Sequence, residues 1–253
     1  DGSSHWVDCR GCKEHMRKSV TEEDYYNRQI VLPQIGDSGQ EELKKSSVLV
    51  VGAGGLGCPA LSGLAGAGVG HITICDGDQV QSSNLHRQFL FSPLDIGKNK
   101  AEIASKALRK LNPLIQVEAY ESYFNESNSK ELLEGKSLVL DCMDNFESKF
   151  FLHEVCRAQK IPLIQASLYR FEGQMHLFTH KEEEACLRCI WPKTPESVDT
   201  CVEAGILGAI AGVFGNMQAI EGLKLLLSQE DLLCNEMLHM NLETWEISKF
   251  KKK

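Results

Sequence analysis

Short apolar runs alternate with amphipathic stretches through most of this chain. Runs rich in β-branched residues predict buried strands, and the stretches between them predict helices. The predicted strands are Val48–Val51, 71–76, Ile115–Ser122, Ser137–Asp141 and Pro162–Ala166, and the predicted helices are Leu56 to about Ala67, Lys98–Lys110, Ser129–Glu134 and Phe146–Gln159. This alternation predicts an α/β, Rossmann-like, doubly wound and mainly parallel sheet.

The segments towards the two ends of the chain do not continue this alternation of strands and helices. A short helix that leads into an extended segment (Glu22–Gln34) and a second helix (Gln40–Lys45) precede the first strand. A strand at Gly173–Thr179 is followed by a break at Lys181 and a long helix at Gly205–Leu227. Because Met237–Phe250 alternates like one or two edge strands, we expect a C-terminal antiparallel extension.

The first predicted strand ends in a glycine-rich turn. Its glycines Gly52, Gly54, Gly55 and Gly57 have the Gly-x-Gly-x-x-Gly spacing, and a helix opens there. Glycine lets the backbone turn tightly and approach a phosphate, and the free N–H groups at the helix start favour an anion. By itself the motif fits ATP, nicotinamide or flavin dinucleotides, or close packing alone.

Polar residues follow several predicted strands. Asp76-Gly77-Asp78 ends the second strand, Ser83–Gln88 comes soon after, and Asp144 follows a later strand. An acid at the second strand tip suits ribose hydroxyls, and a polar cluster that ends in arginine suits a polyphosphate. Because the carboxyl ends of parallel strands share one edge, these residues predict a ligand pocket there.

Composition narrows the class of protein. The 253 residues, 42% of them apolar, suit one α/β domain with or without extensions. A net charge of −8 argues against nucleic acid as the main partner. Polar residues within Gly205–Leu227 indicate a buried or amphipathic helix and no membrane span, and the lysines at 251–253 indicate a solvated tail.

Ten cysteines, in a chain this rich in core residues and with no secretory segment, favour reduced thiols and a cytoplasmic location. Four of them lie in apolar contexts and are expected in the core: Cys58, Cys75, Cys142 and Cys156.

Seven motifs occur in order between about Tyr26 and Lys249. They are Asn27-Arg28-Gln29, Gly52-x-Gly54-Gly55-x-Gly57, Asp76-x-Asp78, Ser83-Asn84-Leu85-x-Arg87-Gln88, Asp141-Cys142-x-Asp144-Asn145, Cys186-x-x-Cys189 and Cys201-x-Glu203-Ala204-Gly205. This order resembles the ThiF/MoeB/HesA family, bacterial relatives of ubiquitin-activating enzymes. The resemblance implies one adenylation domain at residues 16–253.

That resemblance implies an ATP-dependent adenylyltransferase acting on a small ubiquitin-like sulfur-carrier protein, ThiS- or MoaD-like, in thiamin or molybdopterin biosynthesis. The carrier's C-terminal glycine carboxylate would attack the α-phosphate and give an acyl-adenylate and pyrophosphate. It further implies a homodimer and a sulfur donor such as a cysteine desulfurase or a rhodanese. No general base is needed, because a carboxylate is already ionised at neutral pH.

Roles for individual residues follow from the same resemblance. Arg87 and Lys100 would surround the reacting phosphate, Asp144 would hold Mg²⁺, and Arg28 would enter from the other subunit like an arginine finger. The remaining nucleotide-binding residues would be Gly52, Gly54, Gly55, Asp76 for the ribose, Ser83, Asn84 for the triphosphate, and Asn145. From the residues alone, Asp144 could equally be a helix cap and Asn84 a turn residue.

Cysteines carry two further expectations. Cys186 and Cys189 resemble half of the family's structural four-cysteine Zn²⁺ site, and Cys9 and Cys12 have the spacing of another half. Residues 1–15 could complete that site, could represent a displaced C-terminal tail, or could be a vector-derived tag with no zinc bound. Cys201 matches the family's sulfur-handling cysteine and is either a covalent participant or a bystander.

Three other functions remain open at this point. A relative that adenylates a short peptide and a non-catalytic scaffold that binds a ubiquitin-like protein share the fold. A dinucleotide oxidoreductase is discouraged by Ser83–Gln88.

Lys149 stands where the family often carries arginine, so we expect any ion pair there to be looser.

Overall fold

One eight-stranded sheet organises the part of the chain that the computed structural model describes, residues 20–182, 184–193 and 205–252. Its strands are β1 Ser47–Val51, β2 His71–Cys75, β3 Gln116–Tyr120, β4 Leu138–Asp141, β5 Leu163–Tyr169, β6 Glu172–Phe178, β7 Glu236–Asn241 and β8 Glu246–Lys251. The order is β3-β2-β1-β4-β5-β6-β7-β8. Strands β3 to β5 in that order pair in parallel, and β5 to β8 pair antiparallel. The predicted fold class is confirmed.

Helices cover both faces of the parallel half. They are α1 Glu22–Ile30, α2 Gly36–Lys45, α3 Gly57–Ala67, α4 Lys100–Leu111, α5 Ser129–Leu133, α6 Phe146–Gln159, α7 Leu187–Ile190 and α8 Gly208–Leu226. One apolar layer joins α3, α4 and α8 to the sheet, and the other joins α5 and α6 to it.

Strand β1 shows why its sequence is apolar throughout. Val48 and Val50 pack into the layer beneath α3, whereas Leu49 and Val51 pack into the layer beneath α6. A strand with helices on both faces has no solvent face, so a continuous run of β-branched and apolar residues replaces alternation.

Several predicted boundaries move by a few residues. The long helix begins at Gly208, and the first helix ends at Ile30. Helix α4 begins after Asn99, whose side chain caps it by accepting from Glu102 N at 3.1 Å. The segment Met237–Phe250 forms two strands, of which β8 is the sheet edge.

The expected solvated tail is wrong for Lys252. Its side chain is 1% exposed, its Nζ donates to Leu177 O at 2.6 Å, and Glu184 lies 3.6 Å away. Because β8 pairs with β7, Lys252 directly after β8 lies against the segment that follows β6, which includes Glu184. Among the described helices, none is both long and apolar enough to cross a membrane.

Candidate active site

The glycine turn lies where β1 ends, and sterics require its glycines. Gly52 has φ of +96°, and a Cβ there would lie 2.8 Å from Cys142 O. A Cβ on Gly57 would lie only 2.0 Å from Gly52 O. The turn therefore folds back on itself with no room for a side chain, which keeps the start of α3 open towards the sheet edge.

A cavity of about 630 Å³ opens at the carboxyl edge of the parallel strands. Its volume is in the range of small-molecule sites. Nine of the predicted site residues line it: Gly52, Gly54, Gly55, Asp76, Asn84, Arg87, Lys100, Asp144 and Asn145. Ser83 and Arg28 do not.

The cavity continues over the antiparallel half of the sheet. Ser167, Gln174 and His239 face it in one cross-strand row, and Tyr169 and Glu172 face it in the next. The opposite face of these strands packs against α8. The result is a polar trough that leads away from the glycine turn.

Asp76 supports the turn directly. Its Oδ2 accepts from Ala53 N at 2.7 Å, and its Oδ1 accepts from Asp78 N at 2.8 Å. Burial raises the pKa of Asp76, while these backbone bonds and the nearby Lys100 charge oppose that rise. The acid predicted to meet a ribose therefore also fixes the turn between β1 and α3.

Lys100 is bound to the second acid of the same motif. Its Nζ donates to Asp78 Oδ2 at 2.8 Å, and Tyr123 Oη donates to Asp78 Oδ1 at 2.6 Å. Partial burial would raise the pKa of Asp78, but the bonds from Lys100 and Tyr123 and the Lys100 charge hold it below its ordinary value. The sequence motif contains Asp78 but predicted no role for it, and no sequence pattern indicated Tyr123.

Arg87 and Asn84 are held by the segment that precedes α4. Arg87 Nη1 donates to Ser83 O at 2.9 Å, so Ser83 positions the guanidinium through its backbone. Asn84 is buried, and its Oδ1 accepts from Gln81 N at 3.2 Å within a 3₁₀ turn at Ser82–Asn84. Asn84 thus has the turn role that the sequence left open, and it also lines the cavity.

Gln88 is a further cavity residue to which the sequence assigned no role. It is 3% exposed, and no described residue donates a hydrogen bond to its Oε1. A buried amide oxygen without a donor costs free energy unless a water or a ligand supplies one. Gln88 forms part of the cavity wall beside Gly54, with its Nε2 towards that glycine.

Asp144 and Asn145 have separate tasks at the end of β4. Asn145 caps α6, since its Oδ1 accepts from Ser148 N at 2.8 Å. Asp144 is exposed to the cavity, and within the described ranges its carboxylate accepts no hydrogen bond. Asn145, and not Asp144, is therefore the helix cap, so the Asp144 oxygens remain available to a cation.

A buried polar cluster lies beneath Asp144. Lys149 Nζ donates to Asp141 Oδ1 at 3.2 Å and to Ala166 O at 2.9 Å. Gln165 Nε2 donates to Asp141 Oδ2 at 2.8 Å, so it takes the oxygen that a bidentate arginine would bind. This arrangement fixes the loop that presents Asp144.

Arg28 lies at the other end of the parallel strands from the cavity, where those strands begin. Its neighbour Gln29 donates to Ala67 O at 2.8 Å, and Asn112 donates to Tyr26 Oη at 2.7 Å. Ala67 and Asn112 precede β2 and β3, so α1 packs where the strands begin. Arg28 does not serve the cavity of its own chain.

The described cysteines include the four that were predicted in the core and one close pair, Cys186 and Cys189. Cys58, Cys75, Cys142 and Cys156 are all buried, which confirms them as core residues, and burial raises the pKa of each thiol. The Sγ atoms of Cys186 and Cys189 lie 3.2 Å apart at the start of α7. The described residues contain no group of three or more metal-binding side chains. The predicted Cys9, Cys12 and Cys201 lie outside the described residues.

Comparisons with solved structures agree with this fold. PaaA has a TM-score of 0.78 at 21% identity, covering 95% of this chain and 77% of that one. The E. coli MccB structure with ATP has a TM-score of 0.74 at 24% identity, covering 84% of this chain and 66% of that one. At these identities the likeness shows the fold alone.

Curated relatives are closer in sequence. A sulfur carrier protein adenylyltransferase of Thermus thermophilus is 42% identical over 229 residues, which cover 88% of this chain and 84% of that protein. The SAMP-activating enzyme E1 of Haloferax volcanii is 41% identical and covers 87% and 81%. The adenylyltransferase and sulfurtransferase MOCS3 of Drosophila grimshawi is 39% identical over 94% of this chain, which spans 53% of that relative.

The ThiF family model matches residues 26–253, nearly the whole chain. Together with the identity to the curated relatives, this match shows that the chain belongs to the ThiF family.

Proposed function

We propose that this chain is an ATP-dependent adenylyltransferase that activates the C-terminal glycine of a small ubiquitin-like sulfur-carrier protein. One observation carries the proposal: a single cavity joins a glycine turn, the cations Arg87 and Lys100, and the carboxylate of Asp144. A relative that is named a sulfur carrier protein adenylyltransferase is 42% identical over 229 residues, and membership of the ThiF family supports the same reaction.

The nucleotide would lie along the carboxyl edge of the sheet. Gly52, Gly54 and Gly55 leave room for the phosphates, and Asp76 lies at the second strand tip, where it would meet the ribose. Gln88 would form part of the wall beside Gly54. Asn84, with Ser83 behind it, and Asn145 would complete the wall of the site.

The reaction brings two anions together, a carboxylate and a triphosphate. Arg87 and Lys100 would lower that repulsion and stabilise the charge that develops on the α-phosphate. The carrier's glycine carboxylate is the nucleophile, its oxygen bonds to the α-phosphorus, and pyrophosphate leaves with the electron pair of the broken P–O bond. No proton has to be removed from the nucleophile.

Asp144 would hold Mg²⁺. An exposed carboxylate that faces a phosphate site suits this ion, which commonly takes one or two protein carboxylates together with substrate oxygens and water. Bound there, the ion would neutralise charge on the departing pyrophosphate.

The polar trough over β5, β6 and β7 would accept the carrier's terminal residues. Its side chains Ser167, Gln174 and His239 offer hydrogen bonds to an extended backbone, and the trough opens onto the nucleotide end of the cavity.

Arg28 would serve a second copy of this chain. It lies on the far edge from its own cavity, so a role at the phosphates requires a homodimer in which each α1 reaches the partner's site. In that arrangement Arg28 acts as an arginine finger.

The cysteines would serve structure and sulfur handling. Cys186 and Cys189 would supply two thiolates of a tetrahedral Zn²⁺ site, and Cys9 and Cys12 would supply the others. We expect zinc in the full chain and less of it in a chain that begins at Met16; equal zinc would rule out Cys9 and Cys12. Cys201 would react with the activated carrier, and a cysteine desulfurase or a rhodanese would donate the sulfur.

The test is ATP–pyrophosphate exchange, with ThiS-like and MoaD-like carriers offered separately. We expect exchange that requires one carrier and its free glycine terminus, which also chooses between thiamin and molybdopterin biosynthesis. Exchange with neither carrier contradicts the proposal and favours a peptide substrate or a scaffold, whereas tight binding of NAD would favour an oxidoreductase.

A further inference from the structure

Tyr123 stands at the rim of the cavity and binds the carboxylate that holds Lys100. Its hydroxyl donates to Asp78 Oδ1 at 2.6 Å, while Lys100 Nζ donates to Asp78 Oδ2 at 2.8 Å. The two oxygens of one carboxylate are thus bound from two sides. A rotation of the Asp78 side chain would break both bonds at once.

The backbone of Asp78 is fixed, but its side chain is half exposed. Asp78 N donates to Asp76 Oδ1, and Lys100 N donates to Asp78 O at 2.9 Å. The side chain nevertheless has 48% exposure, against 8% for that of Lys100. Water therefore competes for the carboxylate, and the bonds from Lys100 and Tyr123 together favour the rotamer that faces Lys100.

The Tyr123 ring is itself located by the chain. It packs on Gly77, where a Cβ would lie 2.9 Å from the ring carbon Cδ2. The glycine between the two acids of the motif therefore makes space for the ring, and the hydroxyl reaches Asp78 from across the cavity rim.

We propose that Tyr123 is a positioning residue that acts through Asp78 to hold the Lys100 ammonium at one place in the cavity. This inference rests on the proposed function, in which Lys100 faces the reacting phosphate. A cation that is oriented before the reaction stabilises developing charge more than one that has to be reoriented during it.

The first test compares Tyr123→Phe with Tyr120→Phe in the exchange assay. Tyr120 makes the same kind of bond, from Oη to Glu131 Oε1 at 2.7 Å, but lies outside the cavity. Losing one hydrogen bond to a carboxylate should lower kcat about five- to tenfold in Tyr123→Phe, with KM for ATP within about twofold. Tyr120→Phe should match the wild type; an unchanged Tyr123→Phe, or an equal loss in both variants, overturns the inference.

The second test repeats Tyr123→Phe in an Asp78→Ala background. If Tyr123 acts through Asp78, removal of its hydroxyl should have no further effect once the carboxylate is gone. An equal loss in both backgrounds would mean that Tyr123 contacts the nucleotide itself or supports the fold, and would overturn the inference.

A third readout does not depend on the reaction. Acetylation of Lys100 by acetic anhydride, followed by peptide mass spectrometry, should be several-fold faster in Tyr123→Phe than in the wild type or in Tyr120→Phe. Unchanged labelling overturns the role of Tyr123 even if exchange is observed. Faster labelling without exchange in the wild type contradicts the proposed reaction and leaves the Tyr123 link standing.

Discussion

Asp144 shows how two adjacent polar residues divide structure and chemistry. Asn145 supplies the cap of α6, so Asp144 is not needed for that helix. We therefore expect Asp144→Ala to keep its thermal stability and to lose Mg²⁺-dependent exchange by more than about a hundredfold, because the metal loses its protein ligand.

Glu147 is the matched control for that variant. It is an exposed acid in the first turn of α6 and does not line the cavity. Glu147→Ala should retain exchange, and near-normal turnover in Asp144→Ala would remove Asp144 from the site.

His176 predicts a pH dependence of stability. It is 1% exposed, neither ring nitrogen has a partner among the described residues, and it stacks on Phe178 at 5.6 Å. Burial, together with the Lys252 and Lys149 charges, lowers the pKa of His176 to about 3. The folded chain therefore keeps this ring neutral at pH values where the unfolded chain protonates it.

The free energy of unfolding should fall below about pH 6.5, since the unfolded state then binds the proton that the folded state refuses. His176 contributes up to about 1.4 kcal/mol per pH unit between that pH and its folded pKa. Urea denaturation from pH 7.5 to 5 should show a shallower fall for His176→Phe than for the wild type. The exposed His71, changed to Gln, should leave the slope as it is; identical slopes for all three proteins would contradict this account.

The helix that follows the glycine turn offers a matched pair of glycines. In α3, a Cβ on Gly57 meets Gly52 O at 2.0 Å, whereas a Cβ on Gly66 meets nothing within 4 Å. Gly57→Ala should lower the free energy of unfolding by at least about 2 kcal/mol and weaken ATP binding. Gly66→Ala should raise stability by up to about 1 kcal/mol through helix propensity. Equal stabilities in a denaturation experiment would contradict the steric role of Gly57.

Elements that bury apolar side chains were predictable, because periodicity reports burial. Strands β1, β2 and β4 and helix α6 were found nearly at their observed bounds, since side chains of these strands are buried on both faces of the sheet. At Ser82–Asn84 the sequence left a turn role for Asn84 open, and it could not indicate a 3₁₀ helix because three residues carry no periodicity.

Contacts between distant residues could not be predicted from one sequence. Tyr123 and Asp78 are 45 positions apart, and Lys252 reaches Leu177 across 75. Their pairing depends on how β3 and β8 lie in the sheet, which local pattern does not determine.

At the scale of the whole molecule, Arg28 is the strongest argument for a dimer. A mixture of Arg28→Ala and Arg87→Ala chains should recover exchange that neither variant has alone. In a random mixture half of the dimers are mixed, and each of these has one complete site, so recovery should approach about a quarter of the wild-type rate. Lys44→Ala is the control, because Lys44 also lies near α1 but pairs with Glu22. A mixture of Lys44→Ala and Arg28→Ala chains should show no more exchange than its Lys44→Ala chains give by themselves. Absence of rescue would contradict the role of Arg28 in trans.

The most direct test of the whole account is the fate of the three phosphates of ATP in a single turnover with the matching carrier. We predict that label at the α-phosphate appears on the carrier as an adenylyl group, and that label at the γ-phosphate appears only in pyrophosphate. Label from the γ-phosphate on the carrier, or release of inorganic phosphate in place of pyrophosphate, would contradict adenylation as the reaction of this protein.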